Sequence, residues 1–213
     1  RDIYDLGASL LLVATDRISA YDCVMPNGIP DKGRVLTGIS QFWLEQFPWM
    51  PNHLITMDPE KFPGPARAFA NDLRGRAMLV KKCSIFSVEC IVRGYLVGSG
   101  WKEYQKSGTV CGLPLRAGYQ QASKLDAAIY TPSTKADLGA HDENVSYETT
   151  VGLIGETAAA ALRDHALRLY TAAATLAATR GIIIADTKFE FGLDEQGRII
   201  LADEVLTPDS SRF

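Results

Sequence analysis

Two short apolar runs flank Asp5-Leu6-Gly7-Ala8 in "RDIYDLGASLLLVATD", and the pattern predicts a hairpin whose second strand covers Leu10 to Ala14. "TGISQFWLEQF" has helical spacing, with Thr37 as its N-cap and Pro48 as its stop. The five prolines of "FPWMPNHLITMDPEKFPGPARA" make that stretch more loop than element. "RAMLVKKCSIFSVECIVRGYL" holds two apolar runs around Cys83 to Ser87, read as strands joined by a hinge. From Gly98 to Ser146 the chain is rich in Gly, Ser, Thr and Pro, with one short helix in "GWKEYQKSG". Long irregular stretches of that kind are functional or disordered. "GETAAAALRDHALRLYTAAATLAATRG" predicts the longest helix, with Leu162, Leu169 and Leu176 on one stripe and Gly181 as its stop. Three leucines are too few for a coiled coil, so the stripe should pack on a sheet.

The last hairpin, "GIIIADTKFEFGLDEQGRIILADEVL", alternates polar and apolar residues around the turn Asp194-Glu195-Gln196-Gly197. If Leu193 pairs with Arg198, Lys188 faces Asp203 and Glu190 follows Lys188 on the same face. Phe189 and Phe191 then point into the core. Two carboxylates and a lysine on one face suit Mg²⁺ and nucleotide phosphate, because Mg²⁺ takes hard oxygen ligands. The alternative is a solvated sheet face with a Lys–Glu pair. The tail "DEVLTPDSSRF" adds hydroxyls and an arginine suited to a second anion.

At 213 residues, with 46% hydrophobic and 22% charged positions, the chain has the composition of an ordinary globular protein with ample core. A net charge of −3 argues against nucleic-acid binding through bulk positive charge. Cys23, Cys83, Cys90 and Cys111 form no CxxC pair, which makes them free thiols of a cytoplasmic protein rather than zinc ligands. No apolar run reaches the length of a membrane span, and no secretory leader is evident. The chain opens at Arg1 rather than Met and is expected to be a piece of a longer protein.

"IADTKFEFG" and "DEVLTPDSSRF" resemble the C-terminal signatures of the phosphoribosylaminoimidazole-succinocarboxamide (SAICAR) synthetase family. "VATDRISAYDCVMPNGIPDKG", "ECIVRGYLVGSGWKEY" and "TPSTKADLGAHDENVS" resemble its other blocks in the same order, with wording closest to the fungal form. The family's glycine stretch that normally precedes "RDIY", and the helical region after "SSRF", have no counterpart.

The resemblance implies an α+β fold of two lobes with ATP between them. The first, residues 1–86, would be an antiparallel nucleotide-binding lobe; the second, residues 87–213, a larger sheet-and-helix lobe for substrate and metal. It implies an ATP-dependent ligase joining carboxyaminoimidazole ribotide (CAIR) to L-aspartate through an acyl phosphate. Small molecules are the expected partners, with no nucleic acid or membrane; the sequence does not give the oligomeric state, and a monomer is slightly favoured. Glu190 and Asp203 would hold Mg²⁺, with Lys188, Arg93 and Asp203 in the chemistry. Leu12, Val13, Val80, Lys81, Ile85 and Phe86 would receive the adenine, and Glu190 and Asp203 belong to the ATP site as well. Asp16, Ser19, Arg93, Ser99, Lys135, Asp142, Asn144, Ser210 and Arg212 would bind substrate. Ser211 would complete the phosphate grip with Ser210 and Arg212. Arg17, Lys32 and His141 are further candidates; the alternatives are a strand-end turn with a local Asp16–Arg17 pair, a solvated turn lysine and a loop-capping histidine. Two other functions stay open: a kinase-like phosphotransferase that needs no aspartate, and a nucleotide-binding fragment without turnover.

Overall fold

The computed structural model describes residues 1–20, 23–135 and 143–213. The strands are β1 (Asp2–Asp5), β2 (Ser9–Val13), β3 (Ser19–Ala20), β4 (Cys23–Val24), β5 (Leu54–Thr56), β6 (Ala77–Lys81), β7 (Ser84–Ile85) and β8 (Val88–Tyr95). They continue with β9 (Thr109–Val110), β10 (Leu113–Pro114), β11 (Lys124–Tyr130), β12 (Ser133–Thr134), β13 (Asp186–Leu193), β14 (Ile199–Ala202) and β15 (Ser211–Arg212). The helices are α1 (Lys32–Gln46), α2 (Ala70–Leu73), α3 (Gly98–Ser107), α4 (Tyr147–Ile154) and α5 (Glu156–Ala178). The chain divides into two compact units, one of residues 1–84 with 192–209, the other of residues 85–191 with 210–213. The division expected after residue 86 thus falls two residues earlier, and residues 192–209 group with the first unit rather than the second.

In the first unit the strands run antiparallel in the order β1-β2-β6-β5. Register sorts the side chains by face. Leu11 lies opposite Leu79, and both pack with Phe62, Ala66 and Ala77 on one side. Leu12 lies opposite Met78, and both pack with Val80 on the other side.

Helix α1 begins five residues before Thr37, which is buried within it. A local capping rule misplaced this start because the cap is remote. Asp31, at the cap position, has a left-handed backbone and no capping side-chain bond. The Asp16 carboxylate instead accepts hydrogen bonds from the backbone N–H of Asp31 (3.2 Å) and Gly33 (3.0 Å). Those bonds, Gly33's first, then Arg76, hold the Asp16 carboxyl below its ordinary pKa. A Cβ on Gly33 would stand 2.1 Å from the Ala14 carbonyl oxygen, so only glycine lets the helix come this close.

The second unit centres on β8, which pairs antiparallel with β11, β12 and β13, while β15 adds to β13. α5 covers one face with Ala159, Leu162, Ala166, Leu169, Tyr170, Ala173 and Ala177. This stripe follows a period of 3.6, so Ala173 and Ala177 close it where the leucine heptad placed Leu176. Phe189 and Phe191 are fully buried.

The final turn corrects the assumed register. Asp194 N–H donates to the Arg198 carbonyl (3.0 Å) and Gly197 N–H to the Asp194 carbonyl (2.9 Å). Asp194, not Leu193, therefore lies opposite Arg198, in a three-residue loop with a glycine bulge. Asp203 falls beyond β14 and has φ 65, outside the strand alternation that was to aim it.

Candidate functional site

In the first unit a cavity of about 800 Å³ opens beside the sheet. Leu12, Leu36 and Met78 supply its apolar wall. Thr15, Ser19, Thr37 and Ser40 add hydroxyls, while Arg1, Arg17, Lys32, Glu204 and Asp209 add charge. Helix α1 presents Lys32, Leu36, Thr37 and Ser40 along one side by its own periodicity. Most charges are paired: Lys32 Nζ with Asp209 (2.5 Å), Arg1 with Glu204 (2.5 Å) and with Asp203, and Arg17 with Asp2.

Of the residues expected at an adenine wall, Leu12 lines this cavity and Val80 packs beside it. Val13 packs against the core on the opposite face, with Leu11 and Leu79. Lys81 and Ile85 are exposed, and Phe86 donates its N–H to the Phe191 carbonyl (3.0 Å). Asp16 is committed to the α1 start and to Arg76 (3.1 Å), a structural use that a reading of the strand end as a local Asp–Arg17 pair did not identify.

In the second unit, β13 and β8 put a row of charges on one sheet face. Asp186 lies opposite Arg93 and Lys188 opposite Ile91, so by alternation Asp186, Lys188, Glu190, Glu89 and Arg93 share that face. Arg93 is only 2% exposed. Its Nε donates to Thr131 (3.0 Å) and its two terminal nitrogens to Asp186 (2.9 Å) and Ser99 (3.0 Å). Burial pulls its pKa down from the ordinary value, and the Asp186 carboxylate opposes that. Arg93, expected to hold the ribotide, thus makes its hydrogen bonds here to protein groups.

Arg212, half-exposed, reaches the same Asp186 oxygen (2.5 Å). A Cβ on Gly98 would stand 2.6 Å from its guanidinium, so the glycine leaves room for this arginine. Lys188 Nζ bonds the buried Glu89 carboxylate (2.9 Å), which also accepts from Ser133 (3.3 Å). Glu190 pairs with Lys135 (2.6 Å). Ser210 and Ser211 approach each other at 3.5 Å, and Ser211 meets Thr187 at 2.8 Å. Asn144 donates to Glu103 (3.1 Å). Asp142 and His141 lie outside the described residues. Sequence reasoning missed Glu89 and Thr131 and gave Asp186, one of the hairpin's charges, no role.

A family model described as SAICAR synthetase matches residues 1–213. The chain belongs to the SAICAR synthetase family. A phosphoribosylaminoimidazole-succinocarboxamide synthase of Syntrophobacter fumaroxidans is 58% identical over all of this chain and 71% of its own length. The solved "SAICAR-synthase from Saccharomyces cerevisiae complexed SAICAR" is 46% identical, with TM-score 0.89 over all of this chain and 73% of that one. A SAICAR synthetase solved in complex with ADP shares the fold at TM-score 0.77, with 23% identity over all of this chain and 83% of that one. The α+β fold expected from the resemblance is the one these structures have. Among the described residues no helix is long and apolar enough to cross a membrane, and none of the four cysteines is bridged.

Proposed function

We propose that this chain joins CAIR to L-aspartate with consumption of ATP, giving SAICAR, ADP and phosphate in purine biosynthesis. The single observation that carries the reading to this chain's own chemistry is the charged face of β13. It offers fixed cations to anionic substrates and a carboxylate for a metal. A carboxylate is a poor electrophile, and phosphorylation of the CAIR carboxylate turns one oxygen into a leaving group that the aspartate amine displaces.

Arg212, half-exposed and steered by Asp186, takes a substrate phosphate in bidentate fashion. Arg93 positions Ser99 and Asp186 for that grip. Lys188, oriented by Glu89, balances charge on the transferring phosphoryl group. Lys135, Asp142, Asn144, Ser19 and Ser210 complete the proposed substrate contacts. Leu12 and Val80, on one side of the sheet, support an adenine slot, with Lys81, Ile85 and Phe86 as its further proposed members.

Among the described residues there is no group of three or more metal-ligating side chains. That fits Mg²⁺, which is held by one or two carboxylates plus nucleotide phosphates and water rather than by a protein cage. Glu190 and Asp203 are the proposed ligands; each now faces a cation, Lys135 and Arg1, that a metal would displace. When bound, Mg²⁺ would neutralise phosphate charge.

The test is product analysis with ATP and CAIR, with and without L-aspartate, using this chain and a version extended to the relatives' length. SAICAR and ADP formed only with all three substrates support the ligase. Phosphorylated product without aspartate would instead indicate a kinase, and nucleotide binding without any product a non-catalytic fragment.

A further inference from the structure

Two residues that line the first unit's cavity have buried hydroxyls without hydrogen-bond partners among the described residues: Thr15 Oγ1 and Thr37 Oγ1. Native proteins seldom bury such groups unpaired, so each calls for a reason. Thr37 is 2% exposed and sits in α1, where a threonine hydroxyl ordinarily bonds a carbonyl one turn back. It makes no such bond. Ser40, a turn further along the same side, does have a use, accepting the Val205 N–H (3.2 Å).

The cavity already contains carboxylates, Glu204 and Asp209, that could meet a cation. What its two threonines lack is an acceptor. Lys32, Arg17 and Arg1 line the same space. We propose that Thr15 and Thr37 present their hydroxyls to a substrate oxyanion held in this cavity, with Lys32 supplying charge. The inference rests on the ligase reading, under which three compounds carry a suitable oxyanion. Nucleotide and ribotide offer phosphate; aspartate and CAIR offer carboxylate. A substrate oxygen would then supply the acceptor that no described protein group provides.

Thr37→Val and Thr15→Val, near-isosteric changes, are compared with the parent in two measurements. Thermal unfolding is followed without ligand and with ATP, CAIR or L-aspartate added singly. Turnover is followed with each substrate varied. The expected result is a Tm without ligand that is equal or higher, because an unmet hydroxyl has gone, with KM for one compound raised about tenfold. The Tm shift produced by that same compound should shrink in both variants. A response confined to ATP assigns nucleotide phosphate, and one confined to aspartate assigns a carboxylate. If CAIR responds, aminoimidazole ribotide without its carboxylate separates the two groups. Unchanged KM and unchanged ligand shifts for all three compounds would overturn the proposal, as would a lowered Tm with uniform loss of kcat. A parent that binds ligands but forms no SAICAR defeats the ligase reading alone, because the ligand shifts still test the two hydroxyls.

Discussion

Asp186 shows how much one carboxylate can organise. It is 4% exposed and accepts from both Arg93 and Arg212. Removing one partner of a buried ion pair typically costs about 3–5 kcal/mol, because the other charge stays buried. Asp186→Asn should therefore lower unfolding free energy by about 3 kcal/mol in urea titrations and raise KM for the ribotide through a misplaced Arg212. A stable variant with normal KM would return the pair to the surface. Ser40→Ala makes the opposite case to Thr37→Val. It strands the buried Val205 N–H and should cost about 1–3 kcal/mol, read from the same titrations. Lys188→Met should slow turnover roughly 100-fold, as for loss of one preorganised donor to a transferring group. It should also lower Tm, since the buried Glu89 loses a cation.

Elements were legible wherever the deciding contacts are near in sequence. The first hairpin, the long α5 and the strand carrying Asp186, Lys188 and Glu190 follow from periodicity alone. The α1 start does not, because the groups that satisfy its first N–H bonds belong to Asp16, beyond the reach of any local rule. The last turn failed differently. Asp194-Glu195-Gln196-Gly197 was recognised, yet the three-residue loop with its glycine bulge shifts the pairing by one, and period-two logic then misdirects Asp203 beyond it. The charged face was visible as alternating charges, but its partners Glu89 and Thr131 come from other strands. Gly33→Ala tests the α1 contact. Its added methyl must push the helix off the Ala14 carbonyl, and a loss of about 1–3 kcal/mol, typical of overpacking, is expected from denaturant melts.

Across the whole molecule, pH should act through His53, which is 3% exposed and buried without a partner for Nε2 among the described residues. Burial, with Arg1 and Lys81 adding repulsion, pulls its pKa down to about 4. The unfolded chain then binds a proton more readily between about pH 6.5 and pH 4, so stability is full above 6.5 and falls as pH drops through that window. The loss approaches about 3 kcal/mol at its lower end. His53→Gln should flatten this part of the pH–stability curve measured by urea melts; an unchanged slope would assign it to other groups. The Cys90 and Cys111 thiols, both pushed up to about 12 by burial, should stay unmodified by alkylating reagents until the chain unfolds.

The first unit is built from two stretches of chain, and residues 85–191 are made between them. Leu201 donates to the Pro51 carbonyl (2.8 Å) and accepts from His53 N–H (3.0 Å), while Val205 N–H reaches Ser40. During synthesis, residues 1–84 leave the ribosome with these groups unmet, and they wait through residues 85–191 for their partners. A nascent chain halted after Phe191 should thus remain open to protease between Ser40 and His53, and release of residues 192–209 should close that window in a single late step.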